Sequence, residues 1–169
     1  PAAHAPAQDV RQWRELIEFR RRLVDQQTAC KNQIRTLIRS HGWQAPRGLW
    51  SRKGLAWLAE QPWPTLSGRV RCQMLIEEYR TSLQKVRTVT QALDRIARGH
   101  PGMQLLRTIP GVGARTAEAI LAYVDDARRF ARSSQAAAYF GLVPCQDASA
   151  GTNRLGHITK QGPATARKY

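Results

Sequence analysis

Residues 9–41 lie within the longest stretch of this chain that contains neither glycine nor proline. Apolar residues recur in it at intervals of three or four: Val10, Trp13, Leu16, Ile17, Leu23, Val24, Cys30, Ile34, Leu37 and Ile38. This period is typical of an amphipathic helix. Asp9 is suited to cap the helix start and Gly42 to end the helix. The sequence therefore predicts one long helix over residues 9–42.

A second long helix is predicted over residues 69–98. Its apolar residues follow two interleaved seven-residue ladders: Leu75, Val89 and Ile96 on one, with Ser82 in the gap, and Tyr79, Val86 and Leu93 on the other. Alternating spacings of three and four are typical of coiled coils. The two long helices form either an antiparallel hairpin within the chain or a pair with another subunit. Between them, residues 43–68 are rich in Trp, Pro and Gly, with a short helix expected over residues 53–60.

The charge of the chain is strongly positive. It has 27 Lys and Arg residues against 12 Asp and Glu residues, a net charge of +15. An excess of this size favours a nucleic-acid partner. A membrane surface fits less well, because no apolar run reaches spanning length. Cys30, Cys72 and Cys145 are too far apart for a zinc motif and odd in number, so we expect free thiols and a cytoplasmic location.

The segment "IPGVGARTAEAI", residues 109–120, predicts a tight turn between two short helices over residues 103–108 and 114–124. Gly111 and Gly113 permit positive φ and close approach of a large ligand. Backbone N–H groups at the start of the second helix favour a phosphate, and Arg115 adds a positive charge. The pattern resembles the helix-hairpin-helix motif of proteins that bind DNA without sequence specificity. The plainer interpretation is an ordinary interhelical turn.

A serine in a polar segment is the candidate for chemistry. Ser133 or Ser134 is expected to cap a helix that ends at Gly141, and an irregular loop carrying Ser149 begins at Pro144. A final helix opens at Gly162-Pro163. Cationic residues surround the serine in sequence: Arg154, His157, Lys160 and Arg167. A hydroxyl beside such cations has the ingredients for attack on phosphorus, although a loop serine is also an ordinary turn residue.

The assembled order "LLRTIPGVGARTAEAILAYV…FARSSQAAAYFGLVPCQDASAGTNRLGHITKQGPATARKY" resembles the C-terminal domain of the insertion-sequence one-ten family of transposases, the bridge-RNA-guided recombinases. The segment "LIEFRRRLVDQQTACKNQIRTLI" resembles the connecting helical region of that family. The resemblance implies a nucleophilic serine that becomes covalently linked to DNA, together with a RuvC-like domain that holds metal-binding carboxylates. The serine maps onto Ser149, five residues after the proline of "GLVP". The family often has Gly after this serine, whereas here Ala150 precedes Gly151.

The resemblance gives a domain organisation and a set of partners. We expect a disordered start over residues 1–8, a helical coiled-coil connecting region over 9–102, and a transposase C-terminal domain, truncated at its end, over 103–169. The expected fold is mainly all-α: a long helical hairpin or coiled coil, then a small helical domain with the helix-hairpin-helix and the irregular serine loop. DNA, a structured guide RNA and further copies of the chain are the implied partners, and no membrane is implied.

The expected function is that of a DNA transposase fragment without its RuvC-like domain, inactive by itself. Ser149 is the catalytic candidate, and the DNA-binding candidates are Gly111, Gly113, Arg115, Arg154, Lys160, Arg167 and Lys168. Asp147 is the one acid close to Ser149 in sequence, so we expect no metal or cofactor here and Mg²⁺ in the full-length protein. The alternatives are a non-catalytic DNA-binding module with a helical dimerisation stalk, and a helical assembly element whose charge only keeps it soluble.

Overall fold

A computed structural model describes residues 5–149 and 152–168 of the chain. The α-helices are α1 (Gln8–Ser40), α2 (Arg52–Ala59), α3 (Leu66–Arg98), α4 (Gly102–Arg107), α5 (Ala114–Val124), α6 (Ser133–Tyr139) and α7 (Ala164–Lys168). A 3-10 helix spans Ala127–Arg129, and two strands, β1 (Pro144–Ser149) and β2 (Thr152–Ile158), form an antiparallel pair. The prediction of a mainly α fold is confirmed.

The chain divides into two compact units that do not follow chain order. The helical unit is Phe19–Ala92, and the terminal unit combines Pro1–Glu18 with Leu93–Tyr169. The long helices α1 and α3 contribute residues to both units. Residues 1–4 of the predicted disordered start lie outside the described residues, and helix α1 begins at Gln8, one residue before the predicted cap.

Within the helical unit, α1 and α3 pair in the same chain, which answers the question that their periodicity leaves open. Arg20 Nε donates to Thr90 Oγ1 at 2.8 Å, and the Cys30 thiol lies 3.4 Å from the Leu75 carbonyl oxygen. The partner number falls as the residue number rises, so the two helices run antiparallel. Gly42 has a φ of +70° just beyond the end of α1, as expected of a helix-stopping glycine.

Helix α2 closes one end of this pair and completes an apolar core. Ser51 caps α2 by accepting a hydrogen bond from the Gly54 N–H at 3.1 Å. Leu58 is fully buried and lies in a cluster with residues of all three helices. The cluster comprises Cys30, Ile34, Leu37, Ile38, Leu49, Leu55, Leu58, Trp63, Cys72, Leu75, Ile76 and Tyr79. The short helix predicted over residues 53–60 is thus confirmed within one residue at each end.

The terminal unit is built from shorter elements and smaller side chains. Its buried residues include Ala117, Ala119 and Ala122 of α5, with Met103 of α4. Small side chains let neighbouring backbones approach closely, which places more weight on backbone geometry than on side-chain volume. No helix in the described ranges is both long and apolar enough to cross a bilayer.

Candidate functional site

The glycine turn, residues 109–113, joins α4 to α5. The Val112 N–H donates to the Ile109 carbonyl at 3.1 Å, and Gly111 follows the predicted left-handed conformation with a φ of +85°. Gly113 does not: it is the N-cap of α5, with φ −79° and ψ 173°. That conformation is extended and open to any residue. Of the two glycines that permit positive φ, only Gly111 therefore adopts it.

Both glycines face open space. A Cβ added at Gly111 or Gly113 would meet no heavy atom within 4 Å, and both residues are exposed. Among the described residues, no side chain caps the start of α5, whose first helical bond runs from the Ala117 N–H to the Gly113 carbonyl at 2.9 Å. The first-turn N–H groups of a helix lack intrahelical acceptors and lie at the positive end of its dipole. The surface at this turn is thus shaped for close approach by an anion.

A buried carboxylate fixes the direction of α5. Glu118 is 1% exposed and accepts a hydrogen bond from Trp13 Nε1 of α1 at 3.3 Å. Arg115 lies one turn earlier, ion-paired with Glu118 at 2.8 Å and with Asp94 of α3. The guanidinium predicted to contact DNA is thus held between two carboxylates of its own chain. Its contact with DNA stays a prediction.

The segment predicted as an irregular serine-bearing loop is instead a β-hairpin, and this expectation is wrong. Pro144 pairs with Ile158, a register shift follows, and Ser149 pairs with Thr152. Ser149 is the last residue of β1, at the end of the hairpin farthest from Pro144. Residues 150–151 lie outside the described residues, and the side chains of Ser149 and Arg154 do too. The small polar residues of this segment are typical of a loop, so the sequence predicts one. The strands pair through backbone hydrogen bonds, which do not depend on the side chains.

Two glycines bring the base of this hairpin, which is the end where Pro144 pairs with Ile158, against the end of α6. Gly141 and Gly162 have φ values of +63° and +79°. A Cβ on Gly141 would overlap the backbone of Gln161, and one on Gly162 would overlap the Tyr139 carbonyl oxygen. These glycines belong to the segments "GLVP" and "KQGP". Both glycines therefore permit close backbone contact between the end of α6 and the turn after β2.

Hydrogen bonds complete the hairpin base. The Thr159 N–H donates to the Val143 carbonyl at 2.9 Å, and the Lys160 N–H donates to the Gly141 carbonyl at 3.1 Å. Lys160 has a φ of +55°, and its side chain is exposed. Arg167 of α7 donates to backbone carbonyls at this base, while the neighbouring Lys168 is exposed. Lys160, Arg167 and Lys168 thus occupy one region, and Gly111, Gly113 and Arg115 another.

Tyr123 connects the helix of the glycine turn with the helix that carries Arg167. Its hydroxyl donates to Glu18 at 2.8 Å and also contacts the buried Thr165 side chain. Burial, followed by the hydrogen bond to Glu18, raises the pKa of the Tyr123 hydroxyl well above its ordinary value. Tyr123 is therefore neutral and serves as a polar link between α5 and α7.

Several of these residues escape sequence reasoning. Glu118 carries a weak signal, since it is a lone acid on the otherwise apolar face of Ala117 and Leu121. Tyr123 and Thr165 carry none. Among residues 5–149 and 152–168, no three His, Cys, Asp or Glu side chains are grouped so that they could hold a metal ion.

Comparison with known proteins relates this chain to transposases. Residues 103–169 match the model of the transposase IS116/IS110/IS902 family. The chain is 34% identical to a probable family 20 transposase of Pseudomonas aeruginosa, over 88% of this chain and 45% of that protein. It is 31% identical to the transposase for insertion sequence element IS1111A of Coxiella burnetii, over 90% of this chain and 43% of that protein.

A third relative, the transposase for insertion sequence element IS1328 of Yersinia enterocolitica, is 27% identical over 90% of this chain and 46% of its own length. The chain thus spans a little under half the length of the curated relatives it matches. Residues 103–169 of this chain thus match the IS116/IS110/IS902 family of transposases, and 88–90% of its length is similar to curated transposases.

Proposed function

We propose that this chain is the part of a DNA transposase that binds the DNA backbone through its glycine turn and attacks a strand through Ser149. The observation that carries the proposal is the position of Ser149, at the far end of a hairpin whose base is fixed by glycine contacts and hydrogen bonds. A nucleophile on a fixed support costs less ordering free energy when it meets its target.

The chemistry we assign to Ser149 is a transesterification. Its hydroxyl oxygen forms a bond to the phosphorus of a DNA phosphodiester and gives up its proton. The bond from phosphorus to one sugar oxygen breaks, and that oxygen takes up a proton. One phosphate ester replaces another, so a DNA hydroxyl can later reverse the step and join strands without an added energy source.

The positive charge required around the phosphate has two sources. The net charge of +15 draws the polyanion to the chain, and the uncapped start of α5 offers N–H donors to a phosphate oxygen. Exposed Lys160 and Lys168 support a second contact with DNA near the hairpin base. We assign the expected Mg²⁺ to carboxylates of a RuvC-like domain outside this chain, and the guide RNA and further subunits to the complete transposase.

The grip on DNA is tested at Gly113. Gly113→Val adds bulk where nothing lies within 4 Å and where the backbone is extended, so the fold should tolerate it. We expect affinity for duplex DNA to fall about tenfold, equally for unrelated sequences, which corresponds to about 1.4 kcal/mol. Gly99→Val is the matched control, because it adds the same bulk at an exposed glycine outside the turn. Equal affinities for both variants would remove the glycine turn from the DNA-binding surface.

The nucleophile is tested at Ser149 in the complete transposase. Ser149→Ala should abolish the covalent protein–DNA adduct and joined-strand products, while the dissociation constant for DNA stays within about twofold, since one uncharged hydroxyl contributes little to backbone binding. Ser133→Ala, at the exposed first residue of α6, is the control and should behave as wild type.

The same variants distinguish the alternative function. If Ser149→Ala joins strands at the wild-type rate while Gly113→Val loses affinity, the chain is a backbone-binding module without a nucleophile of its own. Exposed Gly111 and Gly113 are the observation that favours this second candidate.

A further inference from the structure

The Arg167 guanidinium is occupied by its own chain. Nη1 donates to the carbonyl oxygens of Phe140 at 3.0 Å, Gln161 at 2.7 Å and Gly162 at 3.3 Å. Nη2 donates to the Lys160 carbonyl oxygen at 2.7 Å. We propose that Arg167 is a positioning residue rather than a phosphate contact. It sets the direction of the serine hairpin, which is the pair of strands β1 (Pro144–Ser149) and β2 (Thr152–Ile158). This inference rests on the proposed role of Ser149.

The acceptors explain why an arginine stands at this position. Phe140 follows the last residue of α6, whereas Lys160, Gln161 and Gly162 follow β2. A planar guanidinium with donors in a fixed fork can reach both segments at once. The positive charge also lies at the carbonyl end of α6, where a helix dipole favours a cation. Arg167 thus joins the two chain segments between which the hairpin emerges.

The left-handed turn after β2 depends on this contact. Lys160 and Gly162 both have positive φ, and for a lysine that conformation is unfavourable. Arg167 binds the carbonyl oxygens of both residues. Its hydrogen bonds therefore offset the cost of the turn that brings Gly162 against Tyr139.

Helix α7, which carries Arg167, is held in place by a contact with α5. Thr165 is 4% exposed and contacts the Tyr123 hydroxyl of α5. Tyr123 in turn donates to Glu18 of α1. The base of the serine hairpin is thereby tied to the helix that begins at the glycine turn, and both are tied to α1.

A small rotation at the hairpin base produces a larger displacement at Ser149, because Ser149 lies at the far end of β1. Ser149 lies five residues beyond Pro144 along β1, about 17 Å at about 3.3 Å per residue. A tilt of about 5° at the base would move the end of such a strand by roughly 1.5 Å, and a misplacement of about 1 Å can slow a reaction about 100-fold. Loss of the Arg167 contacts should therefore act on rate and leave DNA affinity nearly unchanged.

The test compares Arg167→Lys and Arg167→Gln in the complete transposase with Arg128→Gln as control, which makes the same change at a largely exposed arginine of the terminal unit. Two quantities are measured for each: the single-turnover rate of covalent adduct formation at saturating DNA, and the dissociation constant for DNA across a salt series. We expect both Arg167 variants to form the adduct roughly 10- to 100-fold more slowly. Their affinities and salt slopes should match the wild type, because no phosphate contact is lost.

Arg167→Lys keeps the positive charge, but one ammonium group cannot span the carbonyls of both segments. A phosphate contact would therefore tolerate Lys, whereas a positioning role would not. Hydrogen exchange supplies a readout without DNA: the amides of Thr159 and Lys160 should exchange faster in both variants, with α5 protected as in the wild type.

Wild-type adduct rates in Arg167→Lys would overturn the positioning role. So would an Arg167→Gln protein that binds DNA more weakly with a salt slope lower by about one, the signature of a lost phosphate contact. If either result accompanies loss of the adduct in Ser149→Ala, the proposed function stands and this inference alone fails. If Ser149→Ala forms the adduct at the wild-type rate, the proposed function fails, and the inference fails with it.

Discussion

Different kinds of internal contact stabilise the helical unit and the terminal unit. In the helical unit, α1, α2 and α3 share an apolar cluster around Ile34 and Leu58, both fully buried. In the terminal unit, Glu118 joins α5 to α1 and Arg115 joins α5 to α3, while Arg167 binds four backbone carbonyls. Side-chain volume dominates in the first unit, and backbone contacts with directional hydrogen bonds matter more in the second.

This difference matches the roles that we propose. An apolar core tolerates changes of side chain as long as volume is preserved, so it suits a scaffold. Hydrogen bonds and glycine contacts fix direction, and they fail when one atom is misplaced. The proposed nucleophile is carried by the unit in which direction is fixed in this way.

The largest effect on stability is expected in the apolar core of the helical unit. Leu58→Ala should lower the free energy of unfolding by about 3 kcal/mol, because it removes a fully buried side chain and leaves a cavity. Denaturant unfolding followed by tryptophan fluorescence suits the measurement, since four of the five tryptophans, Trp43, Trp50, Trp57 and Trp63, lie in this unit.

Leu66→Ala is the control for Leu58→Ala. It makes the same chemical change at a residue that is 77% exposed, so the unfolding free energy should change by less than about 0.5 kcal/mol. Similar losses for the two variants would mean that burial around Leu58 is not what stabilises the helical unit.

An effect of comparable size, confined to the hairpin base, is expected from one added methyl group in the terminal unit. Gly162→Ala combines a left-handed backbone with overlap on the Tyr139 carbonyl, and should cost about 2–4 kcal/mol locally. Hydrogen exchange should show lost protection at Thr159 and Lys160. Gly156→Ala, whose added Cβ would lie 3.6 Å from its nearest neighbour, should leave both amides protected. Protection retained in Gly162→Ala would contradict the close backbone contact.

The smallest effect is expected in the reactivity of the cysteines, which can be compared between the two units without a substitution. Cys72 and Cys30 are buried in the helical unit, whereas Cys145 of β1 is exposed. Burial raises the pKa of the Cys72 thiol to about 11. At pH 8 a thiol reagent should therefore modify Cys145 in the native protein and reach the other two only after unfolding.

The raised pKa of Cys72 also predicts a dependence of stability on pH. The neutral thiol is favoured in the folded state, so its contribution is complete below the unfolded pKa of about 8.5 and declines as pH rises towards 11. The stability difference between wild type and Cys72→Ala should shrink over that range. A difference that is constant from pH 7 to 11 would contradict the burial of the thiol.

The two units also differ in how far sequence predicts them. Helices α1 and α3 are long and strictly periodic, so their ends are predicted within three residues, at Gln8, Ser40, Leu66 and Arg98. The pairing of these helices within one chain is not predicted, because an apolar face does not specify whether its partner is in the same chain or another.

In the terminal unit, sequence finds the turn and misses the hairpin. Gly111 is predictable because a proline and closely spaced glycines are typical of a turn. Strands β1 and β2 lack a clear apolar alternation, so their small polar residues resemble a loop. The contacts of Arg167 leave no trace in sequence either, since all four acceptors are backbone carbonyls, which every residue carries.

The most direct test of the central claim is to trap the protein–DNA intermediate of the complete transposase and identify the modified residue by mass spectrometry of its peptides. We predict a single phosphodiester link between the DNA strand and the oxygen of Ser149. A link through any other side chain, or strand joining at full rate with no covalent intermediate, would contradict the claim.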